Sequence, residues 1–384
     1  MREINYKRCS KGLWDTTITD ITFDDQGVSN YCKMQESLMN MYPRGDKGKK
    51  DWEILVSNIK KTGRGKKYDC IVGVSGGTDS SYLLHITKQY GLNPLAVNLD
   101  NGWSSDISVK NIKKVTGKLN IDLETYVIDY EEVKIVLKSY LLAGLPWVDS
   151  PTDIAIKATL YKIAIREGIK YVLNGADFRS EGKQPLHWTY SDSRQMLFLV
   201  RKFYKKRLKT FPYLTLSDWL YYGLIRKIKT IRPLYFLPYS KSAANELLEK
   251  QYNWEYYGGH HHENVFTKFV ITYWLPEKFG IDKRIITLSS QVLAGNIKRE
   301  DALNQLLIPP FDPEYVKKDI QYVIKKLDLS EQDFMNALKN RNHFFYDYPS
   351  YFPLIRKFSK AGKFFSQKIF GFKPGIFVAL DQSV

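Results

Sequence analysis

Cysteine is scarce in this sequence, with three in 384 residues: Cys9, Cys32 and Cys70. Three scattered thiols exclude a disulfide framework of the kind that holds small secreted domains together. Nowhere is there a run of about 18 apolar residues, which excludes a conventional transmembrane helix. No signal pattern opens the chain, and the expectation is a soluble, cytoplasmic protein with no transmembrane segment. Acidic residues are also short, 41 Asp and Glu against 58 Lys and Arg, leaving a net charge of +17. Such an excess suits an anionic partner: a nucleic acid, a nucleotide, a nucleotide-sugar or an anionic membrane surface. Two common phosphate-binding signatures are missing as well. No Lys follows the glycines as a Walker loop requires, and there is no G-x-G-x-x-G. What remains is a globular composition, 43% hydrophobic and 14% aromatic, long enough for one to three domains.

The informative stretch is Tyr68 to His85. An apolar, β-branched run, Cys70-Ile-Val-Gly-Val74, breaks into Ser75-Gly-Gly-Thr-Asp-Ser-Ser81 and resumes as a helical pattern from Tyr82. That order reads as strand, tight loop, helix. The loop then places free amides and a helix N-terminus at one point, which favours phosphate. Val74, Ser75, Gly76, Gly77, Thr78, Ser80 and Ser81 are the expected contacts. Asp79 is the odd member, because a carboxylate repels phosphate unless a cation intervenes. A Mg²⁺ between Asp79 and a triphosphate resolves the conflict. The S-G-G-x-D-S pattern resembles the pyrophosphate-binding PP-loop of enzymes that cleave ATP to AMP and pyrophosphate.

Further strands follow at Pro94 to Leu99, Leu123 to Ile128 and Ile169 to Asn174. Strand–helix–strand order predicts an α/β fold with a parallel sheet, whose ligands sit beyond the strands' carboxyl ends. Leu99, Asp100, Asn174 and Gly175 fall on that rim as expected ATP contacts, and Trp103 as an expected substrate contact. Asp177 and Glu181 fall there too, and with Asp79 make a candidate Mg²⁺ site. Asp149-Ser-Pro-Thr-Asp153 opens a helix over 154–167, where Asp149 and Asp153 either start the helix or hold substrate. Residues 1–66 read as a small module and linker, with a helix over 51–61; 67–186 as the ATP-binding domain; and 187–384 as a mainly helical substrate domain. In that last part, helices are expected over 301–307, 313–327 and 331–339, the last capped by Ser330. The basic, aromatic tail from Tyr351 to Phe377 reads as packing on the parent domain, with a membrane-surface helix as the alternative.

Three sets of residues carry a wider resemblance: the stretch from Lys66 to Tyr82; Asp100-Asn-Gly-Trp103 with Asn174-Gly175; and Tyr257 to Phe269 followed by Leu275 to Arg284. Together they resemble the N-acetyl sugar amidotransferase family, a PP-loop group in surface-polysaccharide and nonulosonate biosynthesis, over nearly the whole chain. The resemblance implies conversion of an acetamido group on a nucleotide-activated sugar to an acetamidino group. ATP would activate the amide oxygen as an O-adenylyl intermediate, with Mg²⁺ present. Ammonia would come from a separate glutaminase, since nothing in the chain resembles a glutamine-hydrolysing nucleophile, and no nucleic acid is expected. Lys268, Lys283 and Arg284 are candidates for stabilising the phosphoryl transition state. Among His260, His261 and His262, one, with Glu263, is expected to contact substrate; His261 is the candidate, and a metal is the alternative. The family's N-terminal zinc ribbon would need four thiolates. Here Gly12 and Ser29 stand at two of those positions, so no zinc is expected on Cys9 and Cys32. The alternative function is tRNA modification by a PP-loop enzyme, which the basic charge would suit.

Overall fold

The computed structural model describes residues 6–259 and 261–358. The chain begins with a coiled segment and two helices, α1 (Asn30–Met41) and α2 (Asp46–Gly63). An alternating core follows: β1 (Cys70–Gly73), α3 (Thr78–Gln89), β2 (Pro94–Asp100), α4 (Asp106–Leu119), β3 (Leu123–Val127), α5 (Tyr130–Leu142), α6 (Ser150–Arg166) and β4 (Tyr171–Leu173). Short helices α7 (Phe178–Glu181) and α8 (Leu186–Thr189) lead to α9 (Ser193–Tyr204) and α10 (Leu216–Leu220), then β5 (Lys229–Ile231) and α11 (Lys241–Tyr252). The rest of the described residues form helices and their connections: α12 (Val265–Phe269), α13 (Leu275–Phe279), α14 (Arg284–Leu293), α15 (Arg299–Leu307), α16 (Pro313–Lys326), α17 (Glu331–Lys339) and α18 (Phe352–Lys357). The tail reading beyond residue 358, and His260, lie outside the described residues.

All five strands are parallel, in the order β3-β2-β1-β4-β5. β1 is central, and its side chains alternate between two apolar layers. Cys70, Val72 and Val74 pack with Trp52, Leu83, Leu84 and Leu248 under α2, α3 and α11. Ile71 packs with Ala158, Leu160 and Ile163 of α6 on the other face. Burial on both faces is why these strands read as continuous apolar runs rather than alternating ones. Strand order reverses between β1 and β4, and the loops after those two strands face each other across that point, where sheets of this kind open a ligand crevice. The loops are close: a Cβ on Gly175 would lie 2.8 Å from the Asp79 backbone.

The sequence reading differs from the structure in particulars. β5 was not anticipated. It is three residues long, half-buried, and comes from beyond residue 186 to pair with β4. The segment 18–23 forms no strand and contributes only a bridge from Phe23 to Ser29. α2 starts at Asp46 rather than Asp51, and α6 starts at Ser150 with Pro151 in its first turn, where the missing N–H costs nothing.

The N-terminal segment is not loosely attached. Cys9, Leu13, Trp14, Val28 and Cys32 share one core with Phe266, Phe269 and Ile286. Leu13 N–H donates to Ser289 Oγ at 2.9 Å, and Arg299 donates to the carbonyls of Cys9 and Gly12. The four knuckle positions are gathered: Cys9 Sγ accepts the Ser29 N–H at 3.3 Å, and Ser29 Oγ caps α1 by accepting the Cys32 N–H. A hydrogen bond from Cys32, aided by Ser29 and the Gly12 backbone, holds the Cys9 thiol down at about 4 against the effect of burial. A Cβ on Gly12, however, would lie 2.5 Å from the Trp14 ring, which is 1% exposed. The indole fills the place where a third ligand would reach. Among the described residues, no helix is long and apolar enough to cross a membrane.

Candidate active site

The loop after β1 is held by bonds among its own hydroxyls and amides and by side chains from distant segments. Val74 N–H continues the sheet to Val97 O at 2.9 Å. Gly76 has φ +78°, and a Cβ there would collide with the Ser108 carbonyl, so only glycine fits. Its own carbonyl accepts from the Trp254 indole at 3.1 Å. Ser75 N–H donates to Ser80 Oγ, and Gly77 N–H to Ser75 Oγ. α3 then starts at Thr78 with Gly77 as N-cap and no side-chain cap. Thr78 N–H donates to Tyr257 OH at 3.1 Å, and Thr78 Oγ1 to Asn245 at 2.8 Å. Ser81 is buried at the same turn.

Charged side chains from distant segments close over this loop. Asp79 accepts from Tyr239 OH and pairs with Lys241 Nζ at 3.2 Å. Burial disfavours the Lys241 cation, but Asp79 and Glu181 outweigh it and raise its pKa. Burial raises the Glu181 carboxyl, and the Asp79 charge adds to the effect; Lys241, His261 and Lys283 oppose it. Lys283 is 7% exposed, and burial pushes it down to about 8 despite the attraction of Glu181 and Asp153. Its Nζ lies 4.8 Å from the Trp147 ring centre. Glu263 sits against the loop, its Oε1 3.0 Å from where a Gly77 Cβ would be. Burial raises its carboxyl, but His261 and Lys241 more than compensate and hold it below its ordinary value. Its Oε2 is buried without a hydrogen-bond partner. Asp149 is fully enclosed and pushed up to about 7 by burial, although it accepts from Thr152 at 2.6 Å and from Thr267.

The structure brings together Asp79, Glu181, Lys283, His261 and Glu263, with Asp149 and Asp153 beside them. Asp153 accepts from the Trp147 indole at 3.2 Å. Asn174 stands on the facing loop, where its Oδ1 accepts the Ala176 N–H. Asp100 accepts the Gly102 N–H and lines a cavity of about 220 Å³ with Val127, Tyr130 and Lys326. Leu99 is half-buried and packs against the main core.

Four candidates are placed elsewhere. Lys268 pairs with Asp319 at 2.7 Å and ties α12 to α16. Arg284 pairs with Asp282 and donates to the carbonyls of Gln305 and Ile308, fastening the end of α15. Trp103 is fully buried, 5.1 Å from the Phe266 ring, and is a core residue rather than a substrate contact. Asp177 caps α7 and pairs with Arg44 at 3.2 Å, so its carboxylate is engaged by the N-terminal segment although the Asp79 charge still reaches it. No group of three or more His, Cys, Asp or Glu able to hold a metal occurs among the described residues, and the predicted trio does not form one. Mg²⁺ commonly needs only one or two carboxylates plus substrate phosphates. Asp79 and Glu181, close enough to perturb each other, fit that smaller role. Sequence reasoning missed Tyr239, Lys241 and Asn245, which no local motif marks, and gave no role to Tyr257 at the head of its stretch.

Residues 263–361 match the family model described as LPS biosynthesis protein WbpG-like, C-terminal domain. Over 143 residues, 36% of this chain, the sequence is 35% identical to an uncharacterized protein of Methanocaldococcus jannaschii. The chain spans about half, 48%, of the length of that curated relative. Among solved structures, the U34-tRNA thiolase of Methanococcus maripaludis is 15% identical, with 76% of this chain and 90% of that one covered and a TM-score of 0.31. The NH3-dependent NAD synthetase of Campylobacter jejuni is 13% identical, with 58% and 93% covered and a TM-score of 0.27. The chain thus joins a parallel α/β sheet to a stretch, 263–361, that matches the WbpG-like C-terminal model, and that stretch brings Glu263 and Lys283 to the loop after β1.

Proposed function

We propose that the protein is an ATP-dependent amidotransferase of lipopolysaccharide biosynthesis, which converts an acetamido group of a nucleotide-activated sugar to an acetamidino group. The observation that carries this reading is the convergence of Lys241, Lys283 and Glu263 on the glycine-containing loop that opens α3. An amide carbonyl is a poor electrophile, and its oxygen is a poor leaving group. Attack of that oxygen on the ATP α-phosphorus, with loss of the amide N–H proton, gives an O-adenylyl imidate and releases pyrophosphate. Ammonia then adds to the imidate carbon, and AMP leaves with the former amide oxygen.

This chain's residues have distinct tasks in that sequence. The loop from Ser75 to Thr78 and the α3 N-terminus receive the departing pyrophosphate, whose oxygens replace the hydroxyls of Ser80, Ser75 and Tyr257 as acceptors of the Ser75, Gly77 and Thr78 amides. Lys241 and Lys283 place two cations where negative charge grows, Lys283 buried and Lys241 30% exposed. Glu263, kept ionised by His261 and Lys241, takes the proton shed at the reacting amide. Mg²⁺ held by Asp79 and Glu181 would neutralise polyphosphate charge. A separate glutaminase supplies ammonia. Thiolation of tRNA is disfavoured, because Cys9, Cys32 and Cys70 are all buried, and burial pushes the Cys70 thiol up.

The test uses the isolated protein with ATP, ammonium and UDP- or CMP-linked acetamido sugars. AMP and pyrophosphate are expected, with a sugar product lighter by about one mass unit, since O is replaced by NH at the activated carbon. Glutamine should not replace ammonium until a glutaminase is added. Release of ADP and phosphate, or stimulation by tRNA alone, would refute the proposal.

A further inference from the structure

The helical stretch 216–225 turns an apolar face to water. It consists of α10 continued by a wider turn, Tyr221–Ile225. Its inner side is anchored on α6: the rings of Trp219 and Tyr222 lie 5.4 and 6.0 Å from that of Tyr161. Its outer side carries Leu220, Tyr221, Leu224 and Ile225, which are 54, 42, 44 and 69% exposed. Positions i, i+1, i+4 and i+5 share one stripe of a helix. A helix on the surface of a soluble protein normally puts polar residues there.

The sequence on either side of the stripe carries charge of one sign. Residues 201–232 contain ten Lys and Arg and a single acid, Asp218. That acid is engaged, since its carboxylate accepts from both N–H and Oγ1 of Thr215 in a capping box. Arg226 and Lys227 follow the stripe directly, and Lys205, Lys206, Arg207 and Lys209 precede the helix.

We propose that this face docks on an anionic lipid bilayer. Apolar side chains, aromatic rings and cations on one surface helix are what interfacial binding needs: Leu224 and Ile225 enter the headgroup boundary, Tyr221 and the exposed edge of Trp219 sit at its level, and Arg226 and Lys227, which adjoin the stripe, meet lipid phosphates. A protein partner would need both an apolar groove and an acidic rim of matching shape; a bilayer of acidic phospholipid supplies both without shape. The inference does not depend on the proposed reaction.

The experiment is co-sedimentation of the full chain with vesicles of phosphatidylglycerol and phosphatidylcholine, and with vesicles of phosphatidylcholine alone. Binding to the acidic vesicles is expected, weakening with salt, with a blue shift of tryptophan emission. The double variant Leu224→Ser/Ile225→Ser should bind at least ten-fold more weakly with unchanged circular dichroism, because both residues are exposed. Neutralising Arg226 and Lys227 should cost about five-fold each. No binding to acidic vesicles, or undiminished binding by the double variant, overturns the proposal. So does a double variant that loses a glutaminase complex yet keeps its vesicle binding.

Discussion

Lys283 offers the sharpest test of the site. Burial lowers its pKa from the ordinary 10.5 to about 8. At about 1.4 kcal/mol per pKa step, keeping that proton in the folded protein costs ~3 kcal/mol. The folded pKa lies below the unfolded one, so the unfolded chain binds the extra proton between pH about 8 and 10.5. The cost is therefore full below pH 8 and disappears as pH rises through that window. Parent stability relative to Lys283→Met should climb by ~3 kcal/mol across it, read by urea unfolding at a series of pH values. Activity gives the second reading. If the protonated amine faces developing phosphate charge, substrate-dependent ATP–pyrophosphate exchange should fall above pH 8. This assay contains no ammonia, so the titration of ammonium does not intrude. Lys283→Arg keeps its charge throughout and should move that alkaline limb upward. Lys283→Met should lose roughly 10²–10³ in exchange rate. An alkaline limb that stays in place in Lys283→Arg, or exchange retained by Lys283→Met, would refute the assigned role.

Other outcomes follow from the same geometry. Asp79→Ala removes the acceptor of Tyr239 and the partner of Lys241; pyrophosphate release should fall by more than about 100-fold with the circular dichroism spectrum retained. Gly76→Ala puts a Cβ against the Ser108 carbonyl at φ +78°, and should destabilise the fold by ~2 kcal/mol or more in urea unfolding while weakening ATP binding. Elemental analysis of the purified protein should find well under one zinc per chain. Combining Gly12→Cys and Ser29→Cys with Trp14→Ala should restore one equivalent, because four thiolates then meet where the indole now sits.

The sequence by itself determined the parts whose chemistry is local. The apolar run before Ser75, the glycines and the hydroxyls specify a strand, a tight loop and a helix start within a dozen residues, and the structure forms them there. Parallel pairing followed from strands separated by helices, since such strands need long crossovers. Tertiary structure alone decided which charges reach the loop. Tyr239 and Lys241 lie about 160 residues from Asp79 and arrive through α11 packing on α3, after β5 pairs with β4. A half-buried strand of three residues carries no periodic signal strong enough to announce that pairing. Lys283 and Arg284 are adjacent and of similar type, yet one is buried in the site and the other braces α15. Neighbours on a helix point in different directions, and which direction faces inward is set by what packs on α14, not by the residues themselves. The metal trio failed for the same reason: Asp177 shares the rim with Asp79, but its carboxylate found Arg44 of the N-terminal segment first.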